Sequence, residues 1–150
     1  MRTIQRRRCR LQSIEDILSD FEFLDDWEDR YRYLIDLGRT LPPLEAAEMN
    51  DATRVQGCVS QVWLVSETDG STPPRLTFRG ASDAHIVKGL VAIALALFSH
   101  KTAPEILKTD ALATFKEIGL EEHLTPQRAN GLRAMVDRIK RDADAAIEKA

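Results

Sequence analysis

Apolar residues at helical spacing near the start of the chain predict two amphipathic helices. The first is expected to begin at Ser13, because Asp16 three positions later gives a close relative of a capping box. The second is expected to begin after Asp26. Gly38 has the residue type that commonly follows the last turn of a helix, so we place the end of the second helix just before it.

The middle of the chain changes to strand-like spacing. Alternating, β-branched and aromatic residues predict three short antiparallel strands, over 54–56, 59–65 and 76–79. Gly57 and Cys58 fall between the first two of these strands. Because glycine adopts backbone conformations that are closed to other residues, this pair predicts the tip of a tight loop.

The second half returns to helical patterns. Ser82 is predicted to cap a helix whose apolar stretch, Leu90 to Phe98, indicates burial on nearly all sides. That stretch is far short of the roughly 20 residues that span a bilayer. Thr102 and Glu105 form a capping box for another helix. Thr125 precedes a proline in the arrangement that starts helices, and an apolar stripe then runs to the end of the chain.

Composition and charge indicate an ordinary globular domain that is acidic apart from its first ten residues. The chain has 150 residues, 43% of them hydrophobic and 30% charged, which suits one domain. Of 21 basic residues, five arginines lie in the first ten positions, and removing those five leaves 16 basic against 24 acidic residues, a net charge of −8. We therefore expect a flexible basic tail over 1–12, a single domain over 13–150, and no nucleic-acid surface. The start lacks the apolar segment of a secretory signal, which favours the cytoplasm.

Cys58 is the one strong candidate for a reactive side chain in this sequence. The two cysteines, Cys9 and Cys58, are too few for a disulfide framework, and the three histidines have no metal-ligand spacing. We therefore expect no metal, and the absence of a glycine-rich phosphate loop gives no reason to expect a bound cofactor. On composition alone, Cys58 is more often a small buried apolar residue than a nucleophile. If it reacts, it must be a thiolate, which Arg54, Arg128 or the helix start near Ser82 would favour.

Several short motifs, in a fixed order, carry a family resemblance. They are Trp27-Glu28-Asp29-Arg30-Tyr31, Leu37-Gly38, Leu41-Pro42, Gln56-Gly57-Cys58, Ser60-Gln61-Val62-Trp63, Ser82-Asp83-Ala84, Ile86-Val87-Lys88-Gly89-Leu90, His123-Leu124-Thr125-Pro126, and Arg128 with Gly131-Leu132 and Ala134-Met135. Over about residues 13 to 142 the chain resembles the SufE family, the sulfur-acceptor partners of cysteine desulfurases. Val59 stands where glutamine is frequent in that family, so no subfamily is assigned.

The resemblance implies an α+β fold of the SufE/IscU type. It consists of a three-stranded antiparallel sheet packed against an array of helices, with the acceptor cysteine on the loop between the first two strands. The implied function is that of a sulfur carrier: Cys58 takes persulfide sulfur from a SufS-type desulfurase, stimulates it and passes the sulfur on to an iron–sulfur scaffold complex. Pyridoxal phosphate then belongs to the desulfurase. The chain would be no enzyme by itself, would be a monomer or weak dimer, and would use neither a membrane nor nucleic acid.

Three further residues match the family motifs beside the acceptor. Gly57, Ser60 and Arg128 are expected to support the loop or to dock the partner. For Ser60 a structural role is the preferred interpretation, and for Arg128 a salt bridge on the helix surface is an equal alternative. We also expect Cys58 to rest against the core, with Cys9 a bystander.

Other functions remain open at this point. An adaptor would activate the desulfurase without carrying sulfur. An iron–sulfur scaffold would need several thiolates, for which one loop cysteine and one tail cysteine are a poor set. A thiol peroxidase would consume peroxide without any desulfurase.

Overall fold

The computed structural model describes residues 13–57 and 60–149. The expected tail over 1–12 and the candidate acceptor Cys58 both lie outside the described residues. In chain order, the elements are α1 (Ile14–Phe23), α2 (Trp27–Arg39), a 3-10 turn (Ala46–Glu48), β1 (Val62–Thr68), β2 (Arg75–Ser82), α3 (His85–Phe98), β3 (Lys101–Thr102), α4 (Ala103–Lys108), α5 (Ala111–Glu117), α6 (Leu120–His123) and α7 (Pro126–Lys149).

The first two helices begin where polar side chains cap them. The Ser13 hydroxyl accepts a hydrogen bond from the backbone N–H of Asp16, and Asp26 caps α2 in the same way. The end predicted for α2 was wrong, because Gly38 lies inside the helix and Thr40 follows its last residue. A Cβ at Gly38 would lie 2.6 Å from the Cβ of Lys88, so the glycine is needed for close helix packing.

The sheet is antiparallel, with its three strands in the order β1-β2-β3, which confirms the predicted fold class. Its membership differs from the prediction in two places. The expected strand over 54–56 is reduced to one bridge between Arg54 and Trp63. Position 58 therefore precedes β1, and the prediction that it lies between the first two strands of the sheet was wrong. The third strand is instead β3, which pairs with the start of β2. A two-residue strand is too short to show the period of two that identifies strands in a sequence, so the pattern of residues did not predict it.

Helix α3 is the centre of the core. Every residue from Leu90 to Phe98 except Ala96 is buried, as the apolar stretch predicts. The helix packs closely on α2, where a Cβ at Gly89 would lie 2.2 Å from the backbone oxygen of Leu34. The predicted cap was wrong: Ser82 ends β2, and Ala84 precedes the first helical residue.

The remaining helices close the other side of the core. The Thr102–Glu105 capping box is present at α4. The Thr125 hydroxyl accepts a hydrogen bond from the N–H of Arg128 at the start of α7. The apolar stripe of α7, which includes Leu132 and Ile139, is buried along most of its length. Among the described residues, every helix is too short or too polar to cross a bilayer.

The turn between β1 and β2 is organised by one carboxylate. Asp69 Oδ1 accepts hydrogen bonds from the hydroxyl of Ser71 at 2.6 Å, from its N–H at 3.0 Å and from the N–H of Arg75 at 3.1 Å. These bonds, led by the Ser71 hydroxyl, lower the pKa of Asp69 from 3.8 to about 2. Because the charged form is the bonded one, Asp69 stabilises the fold above its ordinary pKa.

We expect Asp69→Ala to lose stability at pH 7 and to match wild type more closely as the pH falls. The stabilisation is complete above about pH 4 and is lost toward pH 2, where the native carboxylate takes up a proton. Urea unfolding midpoints of both proteins at pH 7, 4 and 2.5 measure the difference. A difference that stays constant over this range would contradict the assignment.

Candidate functional site

A small hairpin brackets the position of Cys58. The N–H of Val55 donates to the oxygen of Val62 at 2.8 Å, and the N–H of Leu64 donates to the oxygen of Thr53 at 2.8 Å. Val55 and Val62 are both buried, which anchors this pairing in the core. We refer to residues 56–61, which connect these paired segments and include position 58, as the loop.

Gly57 has the backbone conformation that its residue type suggested. Its φ is +91°, a region that L side chains rarely adopt. A Cβ at this position would also lie 3.4 Å from the Cβ of Ala134 on α7. Gly57 is exposed, so the loop passes over the surface of α7 immediately before the cysteine.

A pocket of about 200 Å³ lies between the loop and the start of α7. It brings Ser60 together with Arg128, two residues that the sequence placed at the site. The lining residues are Ser60, Val87, Leu90, Thr125, Gln127, Arg128, Gly131 and Met135. Val87, Leu90 and Met135 are buried, whereas Arg128 is exposed. The pocket thus combines an apolar interior with a polar rim that carries one guanidinium.

The C-terminal arm of the loop is fastened at the end of β2. Ser82 donates its hydroxyl to the oxygen of Gln61 at 2.7 Å, and Asp83 Oδ1 accepts from the N–H of Gln61 at 3.1 Å. The Ser82 hydroxyl also accepts from the N–H of Ala84 at 3.3 Å. These two residues therefore hold the loop. Asp83 thus brings a negative charge, and not a positive one, to this arm.

The N-terminal arm is held by a residue that the sequence did not identify. Arg138 on α7 donates to the oxygen of Ala52 at 2.6 Å and to that of Arg54 at 3.2 Å. It also pairs with Asp142 at 3.1 Å. The only local signal is the i,i+4 spacing of Arg138 and Asp142, which many surface pairs share. Arg54, which the sequence offered as a positive charge near the cysteine, pairs through its backbone with Trp63 in this hairpin.

The histidines lie apart from this pocket. His123 stacks on Trp27, with ring centroids 4.0 Å apart, and lines a second pocket of about 290 Å³ that shares no lining residue with the first. His85 is the exposed first residue of α3. His100 has a φ of 66° at the turn into β3. We assign none of them to the site.

Comparison with known proteins decides the family. The family model described as "SufE: Fe-S metabolism associated domain" matches residues 15–143. The chain belongs to the SufE family. An uncharacterized SufE-like protein of Rhizobium meliloti (strain 1021) is 55% identical over 138 residues, which cover 91% of this chain and 99% of the relative. Another, from Rhizobium etli (strain ATCC 51251), is 53% identical over 137 residues, covering 91% and 93%.

A solved structure agrees on the fold. The solution structure of a hypothetical protein from Thermus thermophilus superposes with a TM-score of 0.71 at 21% identity, covering 90% of this chain and 96% of that one. The SufE domain gives this chain a role in iron–sulfur metabolism. Membership of the SufE family also implies interaction with a cysteine desulfurase.

Proposed function

We propose that this SufE-family chain is a persulfide carrier, which takes sulfur from a SufS-type cysteine desulfurase onto Cys58, stimulates the desulfurase and passes the sulfur on for iron–sulfur cluster assembly. The observation that supports the proposal is the connection between Val55 and β1, which is held at both ends and in which the resemblance places the acceptor Cys58. It is fastened by Gln61 at one end and by the carbonyls of Ala52 and Arg54 at the other.

The transfer step is an exchange at sulfur that needs no external oxidant or reductant. The Cys58 thiolate attacks the terminal sulfur of the desulfurase persulfide and forms a new S–S bond. The bond between the terminal sulfur and the desulfurase cysteine breaks, and that cysteine leaves as a thiolate. The proton on the terminal sulfur, where present, travels with it. The desulfurase is then ready for another cycle.

The surroundings of the loop support an exchange that is shielded but reachable. Gln56 and Gly57 are exposed and Ser60 is half-buried, so the described ends of the loop reach the surface. The pocket lined by Val87, Leu90 and Met135 would give a thiol or persulfide an apolar environment shielded from solvent. A persulfide in this pocket would be less accessible to other thiols. It would therefore lose its sulfur to them more slowly, because access governs the rate of thiol exchange. The chain itself would need no bound cofactor for this chemistry.

The partner and the setting follow from the same proposal. Pyridoxal phosphate would sit in the desulfurase, and a downstream iron–sulfur scaffold complex would receive the sulfur. We place the protein in the cytoplasm as a monomer or weak dimer. Arg128 is proposed to dock the partner, since its exposed guanidinium stands at the rim of the pocket on the first turns of α7.

The function is tested by sulfide release. A SufS-type desulfurase is incubated with cysteine and a reductant, with and without this protein. Stimulation that saturates with the protein supports the proposal. An unchanged rate, under conditions in which the two proteins bind, would refute it. Consumption of peroxide without any desulfurase would favour a thiol peroxidase instead.

We expect Arg128→Ala to weaken docking without weakening the fold. The side chain is exposed, so unfolding midpoints should stay at the wild-type value. Because a charge at the rim of an interface acts mainly on association, we expect association with the desulfurase to slow by about tenfold and to depend less on salt.

Arg141→Ala is the matched control, since Arg141 is exposed on the same helix. Equal association rates for wild type and Arg128→Ala at low salt would contradict a docking role. If association stays equal but the pH dependence of Cys58 alkylation moves, Arg128 acts on the thiolate instead.

A further inference from the structure

The Arg138 side chain is spread across two polypeptide segments that are far apart in sequence. Its guanidinium donates from one terminal nitrogen to the oxygen of Arg54 at 3.2 Å and from the other to that of Ala52 at 2.6 Å. Its Nε donates to Asp142 Oδ1 at 3.1 Å. All three nitrogens are thus engaged, and each faces a different acceptor.

The two carbonyls belong to the arm that leads into the acceptor loop. Ala52 and Arg54 precede Gly57 by only a few residues, and Val55 beside them is buried and paired with β1. Arg138 stands on α7, the helix that also supplies Ala134 beneath Gly57 and Met135 in the pocket. The contact therefore ties the arm to the helix against which the loop passes.

Asp142 keeps the guanidinium in this orientation. Both side chains are only 19% exposed, which is low for an ion pair on a helix surface. Asp142 Oδ2 is buried and, among the described residues, has no hydrogen-bond partner. A half-buried carboxylate with one oxygen bonded to Nε fixes the plane of the guanidinium, so its two terminal nitrogens point at the arm.

We propose that Arg138 is a positioning residue for sulfur acceptance: its guanidinium, oriented by Asp142, holds the carbonyls of Ala52 and Arg54 and so fixes the arm from which the Cys58 loop starts. This inference rests on the proposed function. It assigns to α7 two separate tasks, docking by Arg128 near its start and loop positioning by Arg138 further along.

The substitution Arg138→Lys distinguishes the positioning role of the side chain from the effect of its positive charge. A lysine keeps the positive charge and most of the chain length, but its single nitrogen is not a planar fork and does not reach two carbonyls and a carboxylate together. Small misplacements of a reacting group cost about a hundredfold in rate where geometry is tight. Arg138→Lys should therefore affect transfer more than it affects the fold.

The experiment compares wild type, Arg138→Lys and Arg138→Ala, all carrying Cys9→Ser so that Cys58 is the sole thiol. Arg141→Lys is the control on the exposed face of the same helix. The readouts are the rate of sulfur transfer from a persulfide-loaded SufS-type desulfurase, the affinity for that desulfurase, the urea midpoint, and the rate of Cys58 alkylation by iodoacetamide without any partner.

For Arg138→Lys we expect transfer to fall by about tenfold or more, while affinity stays within about twofold and the urea midpoint stays near wild type. Alkylation of Cys58 should become at least about threefold faster, because a released arm opens more often. Arg138→Ala should exceed both effects, and Arg141→Lys should change neither.

Two outcomes would overturn the inference. One is wild-type transfer and alkylation rates in Arg138→Lys. The other is a loss of transfer that merely follows a fall in the folded fraction. The proposed function fails in a different way: the wild-type protein then takes no sulfur at all. In that case the alkylation rates of wild type and Arg138→Lys, measured without the desulfurase, still decide whether Arg138 holds the loop.

Discussion

Replacing Cys58 with serine is expected to abolish stimulation of the desulfurase while leaving its binding intact. Serine is close in size to cysteine, so the loop should keep its conformation. Its hydroxyl is not ionised at neutral pH and cannot accept a sulfur atom as a stable persulfide. We expect sulfide release to return to the rate of the desulfurase alone, a loss of more than about tenfold in the stimulated part.

The control for Cys58→Ser is Cys9→Ser, which removes the other thiol of the chain. It should stimulate as wild type does. Affinity of both variants for the desulfurase is measured by titration, so that loss of binding is not mistaken for loss of chemistry. Full stimulation by Cys58→Ser would identify the protein as an adaptor that changes the desulfurase without carrying sulfur.

Replacing Gly89 with alanine is expected to give the largest loss of stability among the substitutions considered. The added methyl would lie 2.2 Å from the backbone oxygen of Leu34 and 2.7 Å from its carbonyl carbon. Both atoms are backbone, so no side chain can turn aside and α2 must move away from α3. Overpacking of this kind costs about 3 kcal/mol, which outweighs the gain of up to about 1 kcal/mol from alanine in a helix.

Urea unfolding followed by circular dichroism measures the effect of Gly89→Ala. Gly70→Ala is the control, because a Cβ there meets nothing within 4 Å and only the backbone strain at φ +77° remains. That strain costs about 1 to 2 kcal/mol. If Gly89→Ala is as stable as Gly70→Ala or more so, the close approach of α2 and α3 is wrong.

Local signals in the sequence were enough for several of the helix starts. Ser13, Thr102 and Thr125 each cap a helix with their own side chain, and the information lies within three residues. The apolar stretch from Leu90 to Phe98 was equally informative, because a helix without a polar face has to be surrounded. These features depend little on the rest of the fold.

The features that the sequence predicted wrongly depend on contacts between residues that are distant in the chain. Gly38 was taken for a helix end because of its residue type, whereas it is buried against Lys88 and Gly89. Ser82 has the residue type of a cap, but its hydroxyl is used by Gln61 and the strand continues to it. A residue type that suits two roles is resolved only by its neighbours in space.

The sequence predicted only part of the site, because contacts between residues distant in the chain leave no local signal. The resemblance put Gly57, Ser60 and Arg128 beside the acceptor, and the structure places Ser60 and Arg128 in one pocket and Gly57 over α7. It gave no indication of Arg138, which is 84 residues from Arg54 along the chain. Whether Cys58 rests against the core stays a prediction, which its alkylation rate in the free protein tests.

The most direct measurement follows a single sulfur atom. A SufS-type desulfurase is loaded with sulfur from isotopically labelled cysteine, freed of excess cysteine, and mixed with the Cys9→Ser protein for one turnover. Peptide mass spectrometry then locates the label. We predict one added sulfur atom on the peptide containing Cys58, removed by reductant and matched by its loss from the desulfurase. Label that stays on the desulfurase while the two proteins are bound would contradict the carrier function.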